Sequence, residues 1–217
     1  MKSIAMKDVI EILRSVGAIV GPDHFVGTSG RHFDTYVNKD MLFPHTSAVA
    51  QVGEMFALKY KDRNIDVVVA PALGGIILSQ WTAHSLSKFT GREVLGVYTE
   101  KDAAKNQIFT RGYDAFVQGK RILVIEDLAT TGGSIEKTVM SVKKAGGIIE
   151  AICVMVNKDP ELVNSKDLGV PIDSLAEFKV VSYEAANCPL CKKGVLINTH
   201  VGHGKKFLEE QKVDKSL

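Results

Sequence analysis

One stretch restricts the fold of this chain more than any other. From Arg121 the sequence runs through Ile122-Leu-Val-Ile125 into two adjacent acids, Glu126 and Asp127, and then into Leu128-Ala-Thr-Thr-Gly-Gly-Ser134. Ile135, Val139 and Val142 follow at helical spacing until Gly146-Gly147. A short apolar run without polar alternation is a strand buried on both faces, and the glycine-bearing turn joins it to a helix. Such a strand needs helices over it, which points to an α/β fold. The junction also has a chemistry. A strand that ends in a turn at a helix N-terminus presents unpaired backbone N–H groups and the positive end of the helix dipole to one phosphate. Gly132 and Gly133 let the backbone approach that phosphate, and the hydroxyls of Thr130, Thr131 and Ser134 add donors. Carboxylates repel phosphate but accept hydrogen bonds from a vicinal diol, so the pattern implies a ribose beside the phosphate. A Walker loop would need Gly-x4-Gly-Lys-Ser/Thr, and no lysine stands in this turn. A plain βα turn without a ligand is the competing interpretation.

The same alternation continues along the chain. Helical patterns lie at 7–16 (Val9, Ile12, Leu13, Val16) and at about 46–61 (Val49, Val52, Phe56, Tyr60). Asp66-Val-Val-Val-Ala70 reads as a buried parallel strand ended by Pro71, and Gly74-Gly75 opens a helix carrying Ile77, Trp81, His84 and Phe89. Further strands are expected at 94–99, 121–126 and 148–156, giving a parallel sheet of doubly wound type with ligands at the carboxyl ends of its strands. The loop Pro71-Ala-Leu73-Gly74-Gly75 stands in the same strand-to-helix relation as the main turn. A single domain over 1–217 is expected, its core at about 46–160 and a small hood built from about 1–45 and 161–217.

Bulk properties exclude several classes. A net charge of +2 without a long basic run argues against a nucleic-acid or membrane-surface binder. No stretch approaches the ~18 consecutive apolar residues of a membrane span. The N-terminus lacks an apolar signal-peptide region, and three cysteines make no disulfide framework, so a cytoplasmic setting is expected.

The segment Val124–Ser134 resembles the phosphoribosyl-pyrophosphate signature of the type I phosphoribosyltransferases. That resemblance implies a parallel sheet flanked by helices with a small hood formed by the N- and C-terminal segments. It further implies that Glu126 and Asp127 hold the ribose hydroxyls while Leu128, Ala129, Thr130, Thr131, Gly132, Gly133 and Ser134 hold the 5′-phosphate. Leu73, Gly74 and Gly75 are similar to the family's pyrophosphate loop. The basic stretch between Glu100 and Gly119 stands where the family has a flexible lid, often shared across a homodimer; its Lys101 and Lys105 are then catalytic together with Asp127. A solvated surface hairpin is the alternative for that stretch. Within the family, Phe25-Val-Gly-Thr28-Ser29-Gly30…Tyr36 and the tail Cys188-Pro-Leu-Cys191 look most like orotate phosphoribosyltransferases. Thr28, Ser29, Gly30, Thr130 and Lys158 would then meet the base, and Mg²⁺ would enter with phosphoribosyl pyrophosphate. The implied reaction is displacement of pyrophosphate by a nitrogen of a free base, most simply orotate in pyrimidine biosynthesis.

Two departures from that family stand out. The lid reads Glu100-Lys-Asp-Ala-Ala-Lys105-Asn-Gln, without the arginine and histidine of the better-studied orotate enzymes. The turn after the last core strand reads Asn157-Lys158-Asp159 where those enzymes place an arginine, and lysine lacks arginine's planar fork. These keep open a purine-base phosphoribosyltransferase and a non-catalytic sensor of phosphoribosyl pyrophosphate or nucleotide. Finally, Cys188, Cys191, His200 and His203 are ligand types that could close a zinc site, though the gap between Cys191 and His200 is shorter than in common zinc fingers; free thiols in a tail turn are the alternative.

Overall fold

The computed structural model describes residues 8–214 apart from 28, 164–168 and 171. In chain order its helices are α1 (Val9–Ser15), α2 (Thr46–Tyr60), α3 (Gly74–Thr90), α4 (Asp114–Val117), α5 (Gly133–Lys144), α6 (Pro189–Lys192) and α7 (Gly204–Asp214). Its strands are β1 (Ile19–Val20), β2 (Phe25–Val26), β3 (His32–Phe33), β4 (Tyr36–Val37), β5 (Val67–Pro71), β6 (Leu95–Lys101), β7 (Gln107–Ile108), β8 (Arg121–Ala129), β9 (Ile148–Asn157) and β10 (Ile172–Glu177). The chain divides into two compact units. One comprises the residues up to Val16 together with Lys39–Phe178; the other comprises Gly17–Asn38 and the residues from Lys179 onward.

The first unit is built on a six-stranded sheet in the order β10-β9-β8-β5-β6-β7, parallel except for the β6–β7 pair. Every residue of β5 is buried, as its β-branched composition requires of a strand covered on both faces. Strand alternation sorts the core into two layers. Val67, Val69, Ile122, Val124, Ile152 and Val154 pack with Ile135, Val139 and Val142 of α5. The intervening Val68, Leu123, Ile125, Cys153 and Met155 are equally buried and face the other way, the side on which α2 and α3 lie. A phenolic hydroxyl of α2, Tyr60, reaches Asp173 of β10 at 2.8 Å and so ties that helix to the sheet edge. No helix among the described residues is long and apolar enough to cross a membrane.

The strand order has a functional consequence. From β5 the chain moves outward to β6 on one side and then returns to β8 on the other. The carboxyl ends of β5 and β8 therefore flank the switch point, where ligand crevices form in open α/β sheets. Both glycine-bearing turns singled out in the sequence lie at those two ends.

The second unit is made of very short pieces. Strands β1 and β4 pair antiparallel, as do β2 and β3, with Phe25 opposite Phe33 and Val26 opposite His32. Phe25, Phe33 and Tyr36 stack at centroid separations of 5.6–6.2 Å. His32 and Tyr183 exchange two backbone hydrogen bonds of 2.8 Å, which joins the two stretches of sequence that form this unit.

Candidate functional site

Strand β8 is longer than its apolar run because its pairing with β9 continues to Ala129 opposite Asn157. Glu126 and Asp127 thus sit inside the strand rather than after it, and successive side chains in a strand point to opposite faces. Glu126 lines a cavity of about 180 Å³ together with Leu128, Ala129, Thr130, Thr131, Gly132, Gly133, Ser134 and Ile135. Eight residues of the signature, Glu126 and 128–134, are thereby gathered around one concavity; Asp127 is on the other side of the strand.

The cavity has the electrostatics of an anion seat. Gly132 is the N-cap of α5 with φ +75°, and no side chain caps the helix. The first backbone bond into the helix runs from the N–H of Glu136 to the carbonyl of Gly132 at 2.9 Å. The preceding amides, like those of any uncapped first turn, are left to a ligand or water, and here they belong to residues that line the cavity. A Cβ on Gly132 would meet nothing closer than Val163 at 3.6 Å. Glycine is therefore required there by its backbone conformation and not by lack of room.

Asp127 faces the other loop. A Cβ built on Gly74 would collide with Asp127 Oδ2 and come within 2.6 Å of the Phe43 ring. This is the close approach that only glycine permits, and it brings the Leu73–Gly75 loop against the second acid. The peptide between Ala72 and Leu73 is cis, and Leu73 is 82% exposed. Asp127 Oδ2 also forms an ion pair with Lys39 Nζ at 2.8 Å, the lysine lying over the Phe43 ring.

The charge states follow from burial. Burial pushes the Glu126 carboxyl well above its ordinary range, and the neighbouring charge of Asp127 pushes it further. Burial pulls the Lys39 ammonium down, but the carboxylates of Asp127 and Asp40 outweigh it and hold the ammonium above its usual value. A carboxyl raised by burial next to a second acid paired with a lysine is an arrangement typical of functional carboxylate pairs.

Lys158 comes directly after β9, its N–H bonded to the carbonyl of Ala129 at 2.8 Å, so it adjoins the phosphate turn. Burial lowers the pKa of its ammonium. Lys101 ends β6 and Lys105 sits in the turn to β7 with φ +61°, its carbonyl accepting from Lys137 Nζ at 2.7 Å. The stretch expected as a lid is thus an antiparallel hairpin at the sheet edge, braced by Asp102, whose carboxylate accepts from the backbone N–H of Asn106 at 2.8 Å. Neither lysine lines the 180 Å³ cavity. Ser29 and Gly30 form the β2–β3 turn, and Thr28 lies outside the described residues.

The metal set expected in the tail needs correction. Cys188 and Cys191 do converge with two histidines, but these are His24 and His32, whose ligand atoms and the two thiols all lie within 4.8 Å of one another. His200 and His203 do not join them; both are exposed, on the loop leading into α7. Spacing along the chain favoured the nearest histidines, whereas the fold brings in partners more than 150 residues away. Sequence reasoning also passed over Lys39. An isolated lysine carries no local sign of a long-range ion pair; its only cue was its place three residues after Tyr36.

Comparison with known proteins agrees with this geometry. The phosphoribosyl transferase domain, as a sequence family, matches residues 38–184. The chain is 33% identical over 187 residues to the orotate phosphoribosyltransferase of Caldanaerobacter subterraneus subsp. tengcongensis, covering 86% of this chain and 92% of that one. It is 31% identical over 188 residues to the orotate phosphoribosyltransferase of Thermus thermophilus, covering 87% and 97%. Its fold is similar to that of the Mycobacterium tuberculosis orotate phosphoribosyltransferase solved with 5-phospho-α-D-ribosyl 1-diphosphate, with a TM-score of 0.60 at 22% identity over 78% of this chain and 93% of that one. With the signature folded around an uncapped helix end at the sheet's switch point, the chain belongs to the phosphoribosyltransferase family.

Proposed function

We propose that this protein is an orotate phosphoribosyltransferase, transferring the ribose 5-phosphate of phosphoribosyl pyrophosphate to orotate with release of pyrophosphate. The observation that carries the reading is the cavity built by Glu126 and the 128–135 turn, an anion seat with a carboxyl group at its edge. The curated relatives that cover almost their whole length with this chain are orotate enzymes, and that supports orotate as the base.

In this reading the 5′-phosphate accepts hydrogen bonds from the uncapped amides of α5 and from Thr130, Thr131 and Ser134. Glu126 holds the ribose hydroxyls. Asp127, kept between the two loops by Lys39 and Gly74, serves the ribose where it joins pyrophosphate, and the 73–75 loop receives the pyrophosphate. Lys158 and Thr130 stand for base contacts at the strand ends. A nitrogen of the base bonds to the anomeric carbon as the carbon–oxygen bond to pyrophosphate breaks. Pyrophosphate leaves with that electron pair, and the nitrogen's proton passes to solvent. Positive charge develops on the sugar, where Asp127, ion-paired with Lys39, stabilises it. Positioning of the two reactants supplies the rest.

Magnesium, carried in with the phosphates of the substrate, fits beside the 73–75 loop, where the Asp127 carboxylate offers the oxygen ligand a hard cation takes. When bound with the substrate's phosphates it neutralises charge on the leaving group. Lys101 and Lys105, on the β6–β7 hairpin away from the cavity, match a lid that acts across a homodimer interface, so the active form is read as a dimer. Three free thiols are in keeping with a reducing cytoplasm.

A spectrophotometric assay with orotate, uracil, hypoxanthine and adenine, each with phosphoribosyl pyrophosphate and Mg²⁺, tests the reading. Turnover with orotate is expected. Turnover with a purine alone would refute the base assignment, and binding of phosphoribosyl pyrophosphate without turnover of any base would refute the enzyme.

A further inference from the structure

We propose that His24, His32, Cys188 and Cys191 form a structural zinc site in the second unit, with one zinc(II) held by His24 Nε2, His32 Nδ1 and the two cysteine sulfurs. The nitrogen–sulfur separations are those of a tetrahedral shell, and all four atoms lie within 4.8 Å of one another. Cys191 Sγ lies 3.4 Å from His32 Nδ1 and 3.7 Å from His24 Nε2, and Cys188 Sγ lies 3.7 Å from His24 Nε2. Zinc–nitrogen bonds of ~2.0 Å and zinc–sulfur bonds of ~2.3 Å at tetrahedral angles put nitrogen and sulfur about 3.5 Å apart.

Local structure aims each ligand. In the β2–β3 hairpin, Val26 lies opposite His32, so His24, two residues before Val26, projects on the same face as a diagonal neighbour. Cys188 precedes α6 and Cys191 lies inside it, one turn apart on one side of the helix. His24 Nδ1 sits 2.7 Å from the carbonyl of Val195, a partner that fixes the ring proton on Nδ1 and leaves the Nε2 lone pair for a metal. The backbone around the ligands is fixed as well. Asn198 donates its N–H to the carbonyl of His24 at 2.7 Å and its side-chain amide to Asp23 at 2.6 Å.

The cluster is poorly explained without a cation. His24 Nε2 and His32 Nδ1 face each other at 2.8 Å. With the proton of His24 committed to Val195, His32 Nδ1 has to carry one to avoid opposed lone pairs. His32 Nε2, which is buried and has no hydrogen-bond partner among the described residues, is then left as a bare acceptor. An unsatisfied buried acceptor is costly. A metal removes the conflict at Nδ1, because both facing nitrogens then donate lone pairs to one centre. Two thiolates and two neutral imidazoles also cancel the charge of a divalent ion, which makes burial of His24, His32 and Cys188 acceptable. Mixed thiolate and imidazole ligands in a tetrahedral set select zinc, and four protein ligands leave no open position for catalysis. The role is therefore structural. A unit of two short sequence stretches joined by two-residue strands has little core, and small folds of that kind commonly rely on a metal or disulfide staple.

The test is metal content of the full-length protein purified without chelators from zinc-supplemented cells. One zinc per chain is expected, retained in H200A/H203A and reduced at least tenfold in C191S. Cys191 is exposed, so serine there preserves the fold, which far-ultraviolet circular dichroism checks. Chelated protein titrated with Co²⁺ alone is expected to give thiolate charge-transfer absorption and the intense visible bands of a tetrahedral ion. Equal zinc in wild type and C191S, equal loss in H200A/H203A, or only the weak spectrum of oxygen-ligated cobalt each overturns the proposal. None of these readouts depends on catalysis, so failure of the orotate assignment would leave them unaffected.

Discussion

Glu126 is where the site's function and the protein's stability pull against each other. Burial and the neighbouring Asp127 push its carboxyl well above the ordinary carboxylate range. At low pH it is protonated in folded and unfolded chains alike. As pH rises past the ordinary 4.5, the unfolded chain ionises first, and the folded state loses relative stability until its own carboxyl titrates. E126Q is accordingly expected to raise the thermal midpoint at about pH 8 and to leave it nearly unchanged at about pH 4. The same variant loses about 10–10²-fold in kcat/KM because the amide cannot reproduce the carboxyl's contacts. Lys39 works in the opposite sense. K39M leaves the Asp127 carboxylate unpaired in a site where it is only 8% exposed. A cost of about 1–2 kcal/mol is expected, between the values for exposed and buried pairs. Urea unfolding of both proteins at neutral pH measures it.

Among the elements, the β8–turn–α5 unit was the most legible in the sequence, for physical reasons. A strand buried on both faces cannot hide its composition, and an uncapped helix start beside glycine is a local pattern. Both acids, the hydroxyl turn and the 73–75 loop could be found because their chemistry is written contiguously. Strand β10, Ile172–Glu177, was not legible: every one of its residues is half-buried or exposed, and it carries Asp173, Ser174 and Glu177. The two-residue strands of the second unit leave too little periodicity to read. The histidines that join Cys188 and Cys191 were missed because hairpin register, not spacing, sets their position. At this scale the backbone of Gly132 decides the anion seat. G132A has space for its methyl group but must hold φ +75°, so about 1 kcal/mol of strain falls on the turn. The expected outcome is a several-fold rise in the KM for phosphoribosyl pyrophosphate with a fall of a few degrees in thermal midpoint, read from steady-state kinetics and calorimetry.

Over the whole molecule, two units rest on different physics. The first buries a continuous two-layer core around its parallel strands. The second relies on a small aromatic cluster, backbone bridges between distant stretches, and the metal proposed for its four ligands. Chelation is therefore expected to lower the melting of the second unit selectively, splitting the calorimetric transition, and added zinc should restore a single one. Function in this protein rests on the 130–134 turn binding the phosphate of a phosphoribosyl ligand. Calorimetric titration with orotidine 5′-monophosphate and with orotidine, which lacks only the phosphate, measures this directly. Charge-assisted hydrogen bonds at ~1.5–3 kcal/mol each predict that the nucleotide binds at least about 10²-fold more tightly, and that T130V/T131V erases much of the difference. Equal affinity for nucleotide and nucleoside would contradict the account.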